Sequence, residues 1–148
     1  MTALKRSGEI MNYKNLLIKE YTHWELYVHE NQYFLGRTYI WSKRNDLVDL
    51  MDTALEEREE LFVIGGEIKR VLANLWAPDL FNWVSLGNLT AHCHLHVIPR
   101  YAAVREFAGV EFKDERWGKN YAPYNYDFKV PENTLATIKT AILTALPK

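Results

Sequence analysis

Three of the chain's five histidines fall within five residues, as His92-Cys93-His94-Leu95-His96, followed by Val97-Ile98-Pro99-Arg100. In an extended segment alternate residues share a face, so all three imidazoles point one way while Cys93, Leu95 and Val97 point into a core. Cys93 then reads as a buried apolar filler. Two chemistries suit such a row, and a third reading is a plain solvated strand face. One chemistry is a metal site, but His92 and His96 lie roughly 13 Å apart along a strand. Zinc holds its nitrogens at about 2.0–2.1 Å, so one ion takes two neighbouring rings and needs ligands from elsewhere. His23 and His29 are the remaining histidines, and nothing in their placement recommends them. The other chemistry is a track along an extended polyanion: one ring acts as nucleophile and its neighbours donate hydrogen bonds, as phosphoryl or nucleotidyl transfer requires.

The elements that must position this row are legible as periodicities. Residues 24–28 read as a strand, 29–32 as a polar turn, and 33–41 as a second strand completing a hairpin. Gly36 inside that run signals a bulge or a close backbone approach. A helical turn is expected near 13–20 and another over 46–51. The strongest helix runs over 54–76. Thr53 and Glu56 have the spacing of a capping box, and Leu61, Ile64, Ile68, Val71, Leu72 and Leu75 form its apolar stripe. Gly65 falls on that stripe, which points to tight packing of the helix on a sheet. Glu56, Glu57, Glu59 and Glu60 read as a solvated face. Strands are expected at 81–85 and 91–98, and 102–130 is rich in turn formers. A last helix over 131–146 places Pro131 at its first position, with Leu135, Ile138, Ile142 and Ala145 as the buried stripe. Residues 1–11 read as a loose leader to a single domain spanning 1–148. The fold class is α+β: an antiparallel sheet with one long helix packed on it and a C-terminal helix.

Composition narrows the function. The chain has 148 residues, of which 48% are hydrophobic, with five Trp, nine Tyr and six Phe. That content excludes intrinsic disorder for most of its length. Eighteen Lys and Arg against nineteen Asp and Glu give a net charge of −1, which excludes a general nucleic-acid coat or a polybasic membrane binder. A single cysteine excludes an internal disulfide framework and a cysteine-rich zinc module. No apolar run approaches the ~20 residues needed to span a bilayer, and no secretory signal is evident, so the cytoplasm is the expected setting.

With these residues in view, the sequence resembles the histidine triad (HIT) family of nucleotide hydrolases and transferases. Its signature His-φ-His-φ-His-φ-φ is filled by residues 92–98, and Pro99-Arg100 matches a common continuation. The resemblance extends to Leu86-Gly87-Asn88 and to the run from Asn31 to Arg37, covering about residues 20–125. Trp117-Gly118 further resembles the bacterial branch of diadenosine-polyphosphate-type hydrolases. The resemblance implies a HIT-like sheet and cleavage at the α-phosphate of dinucleoside polyphosphates or related conjugates through a nucleotidyl-histidine. By motif position His94 is the nucleophile. His96 contacts phosphate and assists the leaving group, and His92 orients the nucleophile's ring. Asn88 and Arg100 are placed for phosphate, Asn31 for ribose or phosphate, and Asn82 for the same pocket. It implies a homodimer and no required cofactor, with substrate able to arrive as a magnesium complex. The chain departs from the family at Arg37 and Asn45, where relatives carry histidine, and at Leu89, where several carry a hydroxyl. Arg37 is expected either as a phosphate ligand or as a surface residue of its strand. Two other functions fit the residues: a metal-dependent enzyme using strand histidines, and a non-catalytic nucleotide-binding protein.

Overall fold

The computed structural model describes residues 2–4 and 10–148, with side chains from residue 13 onward. Two short strands, β1 (Thr2–Leu4) and β2 (Ile10–Asn12), pair antiparallel. The rest of the expected leader lies outside the described residues. Where a helical turn was expected near 13–20, a 3-10 turn (Tyr13–Leu16) passes directly into β3 (Leu17–Glu20). That strand forms because it adds to the edge of β4 (Trp24–Val28), a tertiary pairing that local spacing does not encode.

The main sheet contains β3, β4, β5 (Thr38–Ser42), β7 (His94–Arg100) and β6 (Leu80–Val84), in that spatial order and antiparallel throughout. The second strand starts later than its aromatic run predicts. Gly36 adopts φ +87°, and a Cβ there would sit 2.9 Å from Leu72 Cδ2 and 3.0 Å from the Trp76 ring. The close approach is therefore real, and residues before Thr38 belong to the loop it shapes. The triad strand also begins later than expected, so His92 and Cys93 precede it.

Helix α1 (Leu55–Trp76) packs its stripe on one face of the sheet. Ile64, Ile68 and Leu72 are fully buried with Leu26, Ile40 and Val97 of β4, β5 and β7. Gly65 lies against Trp83, with a hypothetical Cβ 3.5 Å from the indole, as the glycine on the stripe required. The cap is displaced by one residue from the expected pair. Glu57 accepts from the Ala54 N–H at 2.8 Å, while the Thr53 hydroxyl donates to the Leu50 carbonyl. Glu57 is not on a solvated face: it is buried and ion-pairs with Arg44 at 3.1 Å.

The loop-rich stretch conceals a hairpin, β8 (Arg105–Phe107) and β9 (Val110–Phe112), turned by Ala108 and Gly109 at positive φ. Helix α2 (Glu132–Ala145) uses Pro131 as the residue before its first turn rather than within it. Ile138 and Ile142 are buried as expected, but Ala145 is exposed and Leu146 closes the stripe instead. Among the described residues no helix is long and apolar enough to cross a membrane.

Candidate active site

The sheet face opposite α1 carries the histidines. Register sets this arrangement: Trp41 pairs with His94, and Tyr39 with His96. His94 and His96 lie within β7, their ring centroids 4.9 Å apart. His92 precedes the strand yet joins the row. Its ring stacks on Trp41 at 4.0 Å and 15°, and its Nε2–H donates to the Ser42 carbonyl at 2.7 Å.

Fixed hydrogen-bond partners decide the tautomers. A carbonyl oxygen only accepts, so His94 Nδ1 must carry a proton to bond the His92 carbonyl at 2.6 Å. In the neutral ring that leaves a lone pair on Nε2. An arginine only donates, so His96 Nδ1 accepts from Arg37 Nη2 at 3.4 Å and the His96 proton sits on Nε2. Adjacent rings thus present one lone pair and one N–H donor.

A fourth imidazole, not singled out from the sequence, completes the face. His29 lies 5.8 Å from His96 and 5.9 Å from Tyr39, and its Nδ1 accepts from the Asn31 N–H at 3.0 Å. The signal for it was the hairpin register. Val28 pairs with Thr38, and the next step outward brings the His29 N–H to the Arg37 carbonyl at 3.0 Å. Opposed residues share a face, so His29 and Arg37 stand beside Tyr39 and hence beside His96.

Burial, then the Arg37 and His94 charges, pull the His96 pKa from 6.5 down to about 3. His94 is lowered by burial and by the neighbouring His92 and Arg37, against an opposing pull from its bond to the His92 carbonyl. His29 is held well below the ordinary value by burial and then by Arg37 and His96. His94, His96 and His29 therefore all hold their neutral forms to lower pH than a free imidazole does. This has a consequence for stability. Between pH 6.5 and about 3 the unfolded chain binds a proton at residue 96 that the folded ring refuses. Stability from this ring is complete above pH 6.5 and falls on acidification, by up to ~1.4 kcal/mol per pH unit per ring. Urea unfolding is expected to weaken from pH 7 to pH 4.5, and less steeply in His96→Asn. An identical slope in that variant would show that residue 96 titrates normally.

The other expected site residues divide. Arg37 is not a surface residue: it is 4% exposed, and its Nη1 donates to Tyr124 Oη at 2.7 Å. Asn31 is buried and its side-chain amide donates to the carbonyls of Asn125 and Tyr126. Arg100 uses all five donors internally, on Asp114 twice, Asn82, and the carbonyls of Lys119 and Arg116. Asn31 and Arg100 thus fasten the 114–126 segment over the sheet. Asn82 lines a cleft of ≈ 820 Å³ between β6 and residues 117–122, where Val84, the register partner of His96, and Tyr121 are also walls. Asn88 and Leu89 are exposed in the loop entering the row, and Asn45 is exposed elsewhere. Cys93 is fully buried, and burial pushes its thiol up to about 11, so it is an inert filler. Among the described residues no group of three or more His, Cys, Asp or Glu is arranged to hold a metal ion.

Comparison with solved structures gives the same architecture elsewhere. A histidine triad protein of Bradyrhizobium japonicum superimposes with a TM-score of 0.73 at 16% identity, over 88% of this chain and 90% of that one. A histidine triad (HIT) protein of Sinorhizobium meliloti 1021 gives 0.74 at 16% identity, over 88% and 89%. The chain has the histidine triad fold. A histidine triad protein of Marinobacter aquaeolei VT8 has it too, with a TM-score of 0.65 at 19% identity over 88% and 87%. No family model and no curated protein matches the sequence. At these identities the histidine triad fold is shared while most side chains are not, so the function rests on the geometry of this chain's own residues.

Proposed function

We propose that the protein is a nucleotide hydrolase or transferase of the diadenosine-polyphosphate type, cleaving at the α-phosphate through a nucleotidyl-histidine on His94. The observation that carries this reading is the tautomer pattern: His94 Nε2 is left with its lone pair while His96 presents an N–H beside it. In the first step His94 Nε2 bonds the α-phosphorus, and the bond from phosphorus to the bridging atom breaks. The His92 carbonyl holds the proton of Nδ1 and favours the positive charge that develops on His94. His92 is itself fixed by Trp41 and the Ser42 carbonyl, so it orients the nucleophile without touching substrate. Its counterpart His96 donates to phosphate. Water or another acceptor then displaces His94 and releases the nucleoside monophosphate.

Asn88, with backbone N–H groups of the Gly87 turn at φ +68°, is the proposed phosphate donor from the entering loop. Asn82 meets substrate from the cleft wall. Asn31 and Arg100 act on it through the segments they fasten. No cofactor is needed for these steps, and substrate can arrive as a magnesium complex.

A homodimer is proposed along β6. That strand is an edge of the sheet, and Leu80 and Trp83 on it and Phe62 on α1 are exposed. Such an edge is suited to pairing with a second copy.

Incubation with a dinucleoside polyphosphate in chelator, quenched in base, is expected to leave a nucleotide on His94 by peptide mass spectrometry. Turnover with no adduct at His94, or turnover abolished by chelation, would favour the metal-dependent reading. Tight binding without turnover would favour a binding protein. The same sample is expected to sediment as a dimer, and a monomer would remove the β6 pairing.

A further inference from the structure

Arg37 is a buried cation with no carboxylate. It is 4% exposed, and none of the ion pairs among the described residues includes it. Its Nε is buried with no protein acceptor. The neutral groups around it do not balance its charge: Tyr124 Oη and His96 Nδ1 accept from it, and the rings of Tyr124 and Tyr121 lie 5.1 and 5.9 Å from its guanidinium carbon. A buried, unbalanced guanidinium is expensive unless an anion completes it. Contrast Arg100, equally buried, which has Asp114 and all five donors satisfied.

The position of that charge is informative. Arg37 contacts His96, the ring that donates to phosphate in the proposed mechanism. Tyr121, which covers it, is also a wall of the ≈ 820 Å³ cleft that reaches the register partner of His96. A phosphate chain held at His96 therefore has both Arg37 and the cleft beside it.

We propose that Arg37 receives the departing group and selects substrates that release an anion, so that phosphoric anhydrides are cleaved in preference to phosphoramidates. This rests on the nucleotidyl-His94 reading. The bookkeeping of the step favours it. In an anhydride, the bond from the α-phosphorus to the bridging oxygen breaks and that oxygen keeps the electron pair. The departing group is a phosphate or polyphosphate anion, which carries the second nucleoside when the substrate is a dinucleoside polyphosphate, and it needs charge neutralisation, not a proton. In a phosphoramidate the leaving nitrogen must take up a proton. His96 is a poor source, because its Nδ1 faces a fixed cation and the neutral ring has only one proton, on Nε2. A buried arginine at this place thus meets what an anhydride requires and opposes what an amine requires.

The test compares two substrates with the same adenylyl half, a dinucleoside polyphosphate and adenosine 5′-phosphoramidate, in wild type, Arg37→Gln and Arg37→Lys. Arg37→Gln is expected to lower kcat/KM for the anhydride about 100-fold, as loss of a charged hydrogen bond implies. The phosphoramidate is expected to change less than about threefold and the lysine variant to recover part of the anhydride rate. Equal losses on both substrates would overturn the proposal and make Arg37 a structural residue, while His94 chemistry would stand. Two readouts address folding and an inactive wild type. The His96 imidazole, followed by NMR, is expected to titrate higher in Arg37→Gln, because a nearby positive charge is gone. Inorganic tripolyphosphate is expected to bind wild type more tightly than Arg37→Gln by calorimetry. Arg37-dependent binding without turnover of either substrate would defeat the catalytic reading and support the anion site. Binding equal in both proteins would overturn the anion site.

Discussion

Replacing His94 by alanine is expected to abolish release of nucleoside monophosphate, lowering kcat by at least about 10⁴-fold. The size follows from the role. A covalent nucleophile carries the whole reaction path, and the two flanking rings are engaged elsewhere. His96 Nδ1 faces Arg37, and His92 Nε2–H is tied to the Ser42 carbonyl. Removing only the donor beside it, in His96→Ala, is expected to cost less, about 10²-fold, as for loss of one preorganised hydrogen bond to a developing charge. Single-turnover kinetics with a dinucleoside polyphosphate separate the two: His94→Ala gives no burst, whereas His96→Ala retains a slowed one. A His94→Ala protein within tenfold of wild type would remove His94 from the nucleophile's role. His94 is half-buried and lies on the open face, so its truncation is not expected to unfold the chain.

Replacing Asp114 by alanine is expected to destabilise the fold by about 3–5 kcal/mol, the cost of leaving a buried charge without its partner. Arg100 and Asp114 are 3% and 1% exposed in their side chains and meet at 2.7 Å. The carboxylate also accepts from the backbone N–H groups of Tyr101 and Arg116, so it organises the chain as well as the charge. Arg100→Met with Asp114→Leu removes both charges together and is expected to recover much of the loss. Urea unfolding at pH 7 checks both. An Asp114→Ala unfolding free energy within about 1 kcal/mol of wild type would mean that Asn82 and the carbonyls around Arg100 suffice. Because Arg100 holds residues 116 and 119, this break also disturbs the cleft wall formed by 117–122.

The sequence alone determined what depends on local period. Alternation of His92, His94 and His96 placed the imidazoles on one face, and it placed Cys93 in the core. Helical spacing found α1 with its buried stripe and the glycine under Trp83. Gly36 was legible as a close approach. The tertiary structure decided everything that depends on register and on distant segments. β3 exists because β4 offers it an edge. His29 joins the row because of a hairpin pairing, and Arg37 is buried because residues 121–124 fold over it, 87 positions away at Tyr124. Residue types cannot say whether an arginine faces water, a carboxylate or a tyrosine. The same side chain at Arg100 became a fastener, and at Arg37 an unbalanced charge, because burial and partners are assigned by the whole fold.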